Sequence, residues 1–254
     1  MKQFFAFTKK ELAESVVTYR LYILLAVFLI FGMMSPLFAK LTPELLKTLE
    51  TSGIAIQMPE PTAMDSWAQF FKNVGQMGML VLAISFSGIM ASELSKGTLI
   101  ILLAKGLNRH VVILSKFFAS TILWTVSYLA CLGICYAYTA YFWNDYTIYN
   151  AAIAFAAPWV FGELLLSIVI FGGTLFGNIY GSLLTCLSIV VALNVIGIIP
   201  NTAKFNPVTL SGGTLPLLRG VGEVSDFVPA MMVCAMMITA LLVGAVLVFE
   251  KKEV

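Results

Sequence analysis

Six stretches of the chain are apolar almost without interruption, near residues 21–39, 74–91, 117–142, 151–176, 179–199 and 228–249. A helix rises about 1.5 Å per residue, so about 20 apolar residues cross the ~30 Å hydrocarbon layer of a bilayer. Each run has that reach. The runs are continuous in polarity rather than alternating, which predicts helices and not the strands of a barrel. The pattern therefore predicts an all-α, polytopic membrane protein: six transmembrane helices forming a single domain over residues 1–254.

The polar intervals between the runs set direction. With the N-terminus inside, the inner segments carry ten basic residues (Lys2, Lys9, Lys10, Arg20, Lys96, Lys105, Arg109, Lys116, Lys251, Lys252) and the outer segments five (Lys40, Lys47, Lys72, Lys204, Arg219). That bias places both termini in the cytoplasm and the chain in the cell membrane. Tyr136, Tyr138, Tyr141, Trp143, Tyr146 and Tyr149 gather around Asn144-Asp145, as aromatic residues do at a membrane–water boundary.

Three polar segments carry their own patterns. In residues 1–20, Phe4, Phe5, Leu12, Val16 and Tyr19 recur at near-helical spacing opposite Lys9, Lys10 and Glu14. This predicts an amphipathic interfacial helix on the inner leaflet, its lysines near anionic headgroups. The segment and the run behind it are too long for a cleaved signal peptide. Residues 40–73 form a predicted extracellular segment, in which Thr42-Pro43-Glu44 reads as a helix start with a hydroxyl N-cap, a proline at N1 and an acid in the first turn. Met58-Pro59-Glu60-Pro61 breaks that helix, and Asp65-Ser66-Trp67 begins another that runs through Phe70 and Phe71 into span two. Residues 200–227, with Asn206-Pro207, Gly212-Gly213 and four apolar or proline positions at 215–218, predict a partly buried or re-entrant outer cap.

Composition agrees and narrows the function. Hydrophobic residues make up 60% and charged residues 11%, against about 25% charged in soluble domains. Such a surface cannot be wetted; lipid is the missing solvent. A formal net charge of +2 leaves no basic patch for nucleic acid. Cys131, Cys135, Cys186 and Cys234 all fall in apolar runs without a C-x-x-C, and read as buried free thiols. His110 is the single histidine, which removes His-based catalysis and a His-rich metal site from consideration.

The inner segment 92–116 holds an apolar stretch, residues 99–104, between charged residues on the water side. It is too short to span, so it is expected to lie on the bilayer face or against a partner protein. Gly97 permits a sharp turn off the end of span two, and Thr98 can cap the short helix that follows. Glu93 is expected to pair with Lys96, Lys105, Arg109 or a basic residue of a partner.

The E-x-x-x-G-T of Glu93, Gly97 and Thr98, the leucine-rich turn behind it, and the Arg-x₆-Lys of Arg109 and Lys116 resemble the type 2 ABC-transporter permease family. The likeness covers essentially the whole chain in topology and residues 92–118 in motif. The chain departs from the family in carrying Lys105-Gly106 where many relatives have a proline before the Arg-containing turn. The resemblance implies six spans with both ends cytoplasmic, an N-terminal interfacial helix, and a coupling helix between spans two and three. Under it, Glu93, Gly97, Thr98, Leu99, Leu102, Leu103 and Arg109 dock an ATPase subunit. A second permease copy, identical or related, completes the pathway. No cofactor is bound directly; ATP and Mg belong to the partner ATPase.

The chain has no G-x-x-x-x-G-K-[ST], so ATP-driven transport requires a separate ATPase polypeptide. The competing class is ion-coupled secondary transport, for which Glu163 is the one ionisable residue well inside a span. A charge at that depth costs at least ~2.5 kcal/mol, so Glu163 is expected to face the bundle, a cavity or a dimer seam. Asn194 in span five is a candidate partner for it or simple interhelical glue. Gly172-Gly173, Gly177 and Gly181-Ser182 predict close helix approach. Twelve Met and nineteen Phe suit an apolar pathway for an amphipathic or hydrophobic substrate, and equally an ordinary lipid-facing surface.

Overall fold

A computed structural model of the chain describes residues 2–49, 60–95, 97, 99, 104, 106–144, 146–199 and 202–252. Its helices are α1 (Lys2–Val17), α2 (Arg20–Leu49), α3 (Ala63–Lys72), α4 (Met79–Phe86), α5 (Gly88–Ser95), α6 (Arg109–Phe142), α7 (Ala151–Phe176), α8 (Ile179–Ile196), α9 (Leu215–Leu218) and α10 (Val228–Lys251). Among the described residues no strand is present. Six stretches are long and apolar enough to cross a membrane: Arg20–Thr42, Ala63–Leu94, Arg109–Phe142, Ala151–Phe176, Ile179–Ile196 and Val224–Lys251. The chain is an all-α, multi-pass membrane protein.

Span one differs from the sequence reading at its outer end, whereas the helix expected from Asp65-Ser66-Trp67 into span two is present. Thr42-Pro43-Glu44 starts no helix: α2 runs on through Pro36 and Pro43 to Leu49. Each proline removes a backbone donor, and the hydroxyl just before it fills the loosened turn. Ser35 Oγ donates to Phe31 O at 2.7 Å, and Thr42 Oγ1 to Phe38 O at 2.6 Å. Thr42 therefore bonds backward within the helix instead of capping a new one. Span two begins at Ala63, where the Thr62 backbone N–H donates to the Asp65 carboxylate at 2.8 Å. From there it passes through a π-helical turn, Asn73–Gly78, into α4 and α5. Trp67, Phe70 and Phe71 hold this early start, packed against Phe155 at ring separations of 4.9, 6.0 and 5.8 Å.

Helix α7 is the centre of the bundle. Every residue from Phe161 to Ile170 is buried, so no face of this stretch is left for lipid. Pro158 interrupts α7 and frees the Ala154 carbonyl, which accepts from Thr214 Oγ1 at 3.0 Å. Gly162 makes room for a tryptophan: a Cβ there would lie 2.5 Å from Trp124 Cε2. The expected close approach of small residues joins α7 to α8, with Ser182 Oγ donating to Val169 O at 2.7 Å. By contrast α8 and α10 present Leu184, Leu187, Val191, Met232 and Met236 outward.

The expected outer cap is folded and partly buried. Three 3₁₀ turns and α9 carry Leu210, Leu217 and Leu218 into the core. Asn206 Nδ2 donates to Leu193 O at 2.7 Å, satisfying a carbonyl near the end of α8. The cap backbone comes so close to Gly75 that a Cβ there would lie 3.0 Å from the Ser211 carbonyl carbon.

Helix α1 forms as predicted, and one of its faces packs on the protein. Phe7, Thr8, Glu11 and Ser15 are buried against the bundle, with Phe4 and Leu12 beside them, whereas Phe5, Val16 and Tyr19 point away. A buried lysine of α6 pairs with Glu11 on the packed face, which leaves Phe5, Val16 and Tyr19 on the outward side. All four cysteines are buried and free, as read from the sequence.

Candidate functional site

Both described chain ends and the segment between spans two and three lie at one end of the bundle. Glu11 of α1, Glu93 of α5 and Lys116 of α6 meet there, their side chains only 4%, 7% and 1% exposed. Lys116 Nζ donates to Glu11 Oε1 at 3.0 Å and Oε2 at 2.9 Å, and lies 2.6 Å from Glu93 Oε2. Lys10 completes the cluster with ion pairs to Glu93, to Glu11 and to Glu14. Burial alone lowers the Lys10 pKa, but Glu14 and Glu93 more than offset this and hold it above the ordinary lysine value. Arg20 adds a third cation, its guanidinium over the Phe86 ring at 5.6 Å. The carboxylates of Glu11, Glu14 and Glu93 converge closely enough to ligate a cation, but Lys10 and Lys116 already engage them. The charges balance three against three, as burial demands.

Among the described residues Glu93 pairs with Lys10 and Lys116; of the partners expected for it, Lys96 and Lys105 lie outside the described residues, and Arg109 is held at the end of α10. Lys10 and Lys116 lie 83 residues before Glu93 and 23 after it, so sequence proximity did not indicate them. The visible signal was Lys116, a charge seven residues into an otherwise apolar span.

Gly97 turns the chain as expected, with φ of 66°, a value that favours glycine. Leu99, expected on the docking strip, is fully buried in the chain's own core. Thr98, Leu102 and Leu103 lie outside the described residues. Arg109 is held within the chain: Nη1 donates to the carbonyls of Phe249 at 2.6 Å, Glu250 at 2.8 Å and Lys252 at 2.8 Å. These are orphan carbonyls at the end of α10, where a cation also meets the negative pole of the helix. Lys252 Nζ does the same for α7, donating to Thr174 O at 2.7 Å, and partial burial lowers its pKa. Arg109→Gln is expected to cost about 1 kcal/mol. Hydrogen exchange should show faster opening at 249–252 while α1 stays protected.

Glu163 is buried in α7 and faces α6, where Thr121 Oγ1 donates to its Oε2 at 2.6 Å. Its Oε1 is buried with no hydrogen-bond partner among the described residues. Asn194 is not its partner. That side chain is exposed on α8, where Nδ2 donates to Val190 O of its own helix at 2.8 Å. It lines a cavity of about 620 Å³ between spans two, four and five, beneath the outer cap.

No family model matches the chain. The chain is similar to an uncharacterised transmembrane protein, YxlG, of Bacillus subtilis (strain 168), with 22% identity over 232 residues that cover 89% of each. Together with six membrane-length helices, this makes the chain a multi-pass transmembrane protein.

Proposed function

We propose that the chain is the membrane-spanning subunit of an ABC exporter, of the type 2 permease kind, with its termini in the cytoplasm. Two copies, or one copy and a related chain, enclose the pathway, and separate ATPase subunits dock on the end that holds α1 and residues 92–116. The observation that carries this reading is the buried cluster of Glu11, Glu93 and Lys116. It fastens the N-terminal helix, the end of span two and the start of span three around the segment between those spans. A push on that segment is transmitted to three helices at once instead of being lost in a slack loop. The docking face then includes the outer surface of α1 but neither Leu99 nor Arg109, which are engaged internally.

A second reading, ion-coupled transport, draws on the partnerless Oε1 of Glu163. One experiment separates the two. The tagged chain is isolated in mild detergent from its native membrane and assayed for vanadate-sensitive ATP hydrolysis, as wild type and as Glu163→Gln. The amide oxygen still accepts from Thr121, so the variant is expected to fold. The exporter reading expects a nucleotide-hydrolysing complex whose activity falls less than twofold in Glu163→Gln. A chain isolated without any ATPase, whose proteoliposomes pass protons until Glu163 is replaced, overturns it in favour of ion coupling.

A further inference from the structure

The cavity between α4, α7 and α8 is open sideways, its rim formed by Leu80 and Leu187, which are 56% and 61% exposed. Its walls are apolar except for Gln76, Asn194 and Ser211, which lie towards the outer end. Gln76 sits in the π-helical turn of span two, a distortion that often marks functional sites. The Gln76 amide has no hydrogen bond among the described residues, and Asn194 spends one donor on its own helix, leaving its carbonyl oxygen open. Fifteen residues of helix separate Ile179 from Asn194, about 22 Å of rise, still inside a ~30 Å hydrocarbon layer.

Gln76 and Asn194 are exposed on the lipid-length part of their helices, and an amide facing hydrocarbon favours an occupant that can hydrogen-bond it. An acyl chain alone cannot meet them. A transmembrane helix of a second copy offers no free backbone groups, since its own ladder uses them. A charged headgroup would be stranded, because no Asp, Glu, Lys, Arg or His lines the cavity. We propose that this cavity binds a single-chain amphiphile, its uncharged, hydrogen-bonding headgroup between Gln76 and Asn194 and its hydrocarbon tail along Leu187 and Leu183. The proposal deepens the permease reading by naming its substrate class, and rests on that reading only for the word substrate. The volume suits a small ligand of this kind.

The test uses the purified full chain in nanodiscs and a monoacylglycerol that carries a diazirine near the end of its tail. Light should attach it to the peptide containing Leu183 and Leu187. Unlabelled monoacylglycerol should compete, and the fatty acid of equal length should need at least tenfold more. Gln76→Leu with Asn194→Leu should lower labelling at least fivefold, as should Leu187→Trp, which fills the cavity. Met232→Trp, on the exposed face of α10, should leave labelling unchanged and so reports that a bulky tryptophan is tolerated. Labelling indifferent to the cavity variants, or equal competition by the fatty acid, would each overturn the proposal. No ATPase is present in this assay. Binding without an ATPase partner in the cell would remove the exporter reading and leave this inference standing; ATP hydrolysis without binding would do the reverse.

Discussion

Lys116→Met should be the most damaging single change at the end of the bundle that joins α1 to spans two and three, costing about 3–5 kcal/mol. The side chain is 1% exposed and is shared by Glu11 and Glu93 at 2.9 and 2.6 Å. Removing it strands negative charge that has no water to turn to. The thermal unfolding midpoint in detergent should fall steeply, and α1 should lose its protection from hydrogen exchange. Adding Glu11→Gln restores the balance, because Glu14 and Glu93 then face Lys10 and Arg20. The double variant should return to within about 1 kcal/mol of wild type, since neutralising both partners of a buried pair is far milder than removing one. A Lys116→Met protein as stable as wild type, with α1 still protected, would mean that the cluster holds nothing together.

The same cluster explains what could and could not be read from the sequence. The six spans were legible because the bilayer imposes one requirement, a long apolar helix, that appears in the residues themselves. The face that α1 buries was not. Phe5, Val16 and Tyr19 mark the outward side by periodicity, but the pairing that buries Glu11 on the other side is with a lysine 105 residues away. Glu93 was singled out, and its pairing with Lys10 and Lys116 was missed for the same reason. At Thr42-Pro43-Glu44 the residues fit a helix start and equally a proline-bearing helix interior, and only the bond from Thr42 back to Phe38 separates the two. Leu99 looked like part of a docking strip because the apolar stretch 99–104 lies between Lys96 and Lys105; past the turn at Gly97 it is buried in the chain's own core instead. Glu163 and Asn194 were legible as polar residues in apolar runs. That Glu163 meets Thr121 while Asn194 lines a separate cavity depends on which helices are neighbours, and periodicity does not record that.

Gly162→Val is the second large effect expected, and it tests whether α7 is the centre of the bundle. Gly162 lies where the Trp124 indole crosses α7, and a Cβ there would stand 2.5 Å from Trp124 Cε2. The indole cannot simply step aside, because its Nε1 donates to Trp159 O at 3.1 Å, and one turn along Tyr128 OH donates to Phe155 O at 2.7 Å. Overpacking costs about 1–3 kcal/mol and a stranded indole N–H about 1–3 more. The combined loss of about 3–4 kcal/mol also pulls Glu163, the next residue, away from Thr121. Intrinsic fluorescence should report the displaced tryptophan, and the unfolding midpoint should fall. Trp124→Phe removes the part of the indole that clashes, so the double variant should be less destabilised than the sum of the singles by more than about 1 kcal/mol. Strict additivity would place the two residues out of contact and require a different neighbour for α7. With coupling observed, the Trp124–Gly162 crossing fixes the spacing of spans three and four, and with it the distance at which Thr121 reaches the one carboxylate buried between them.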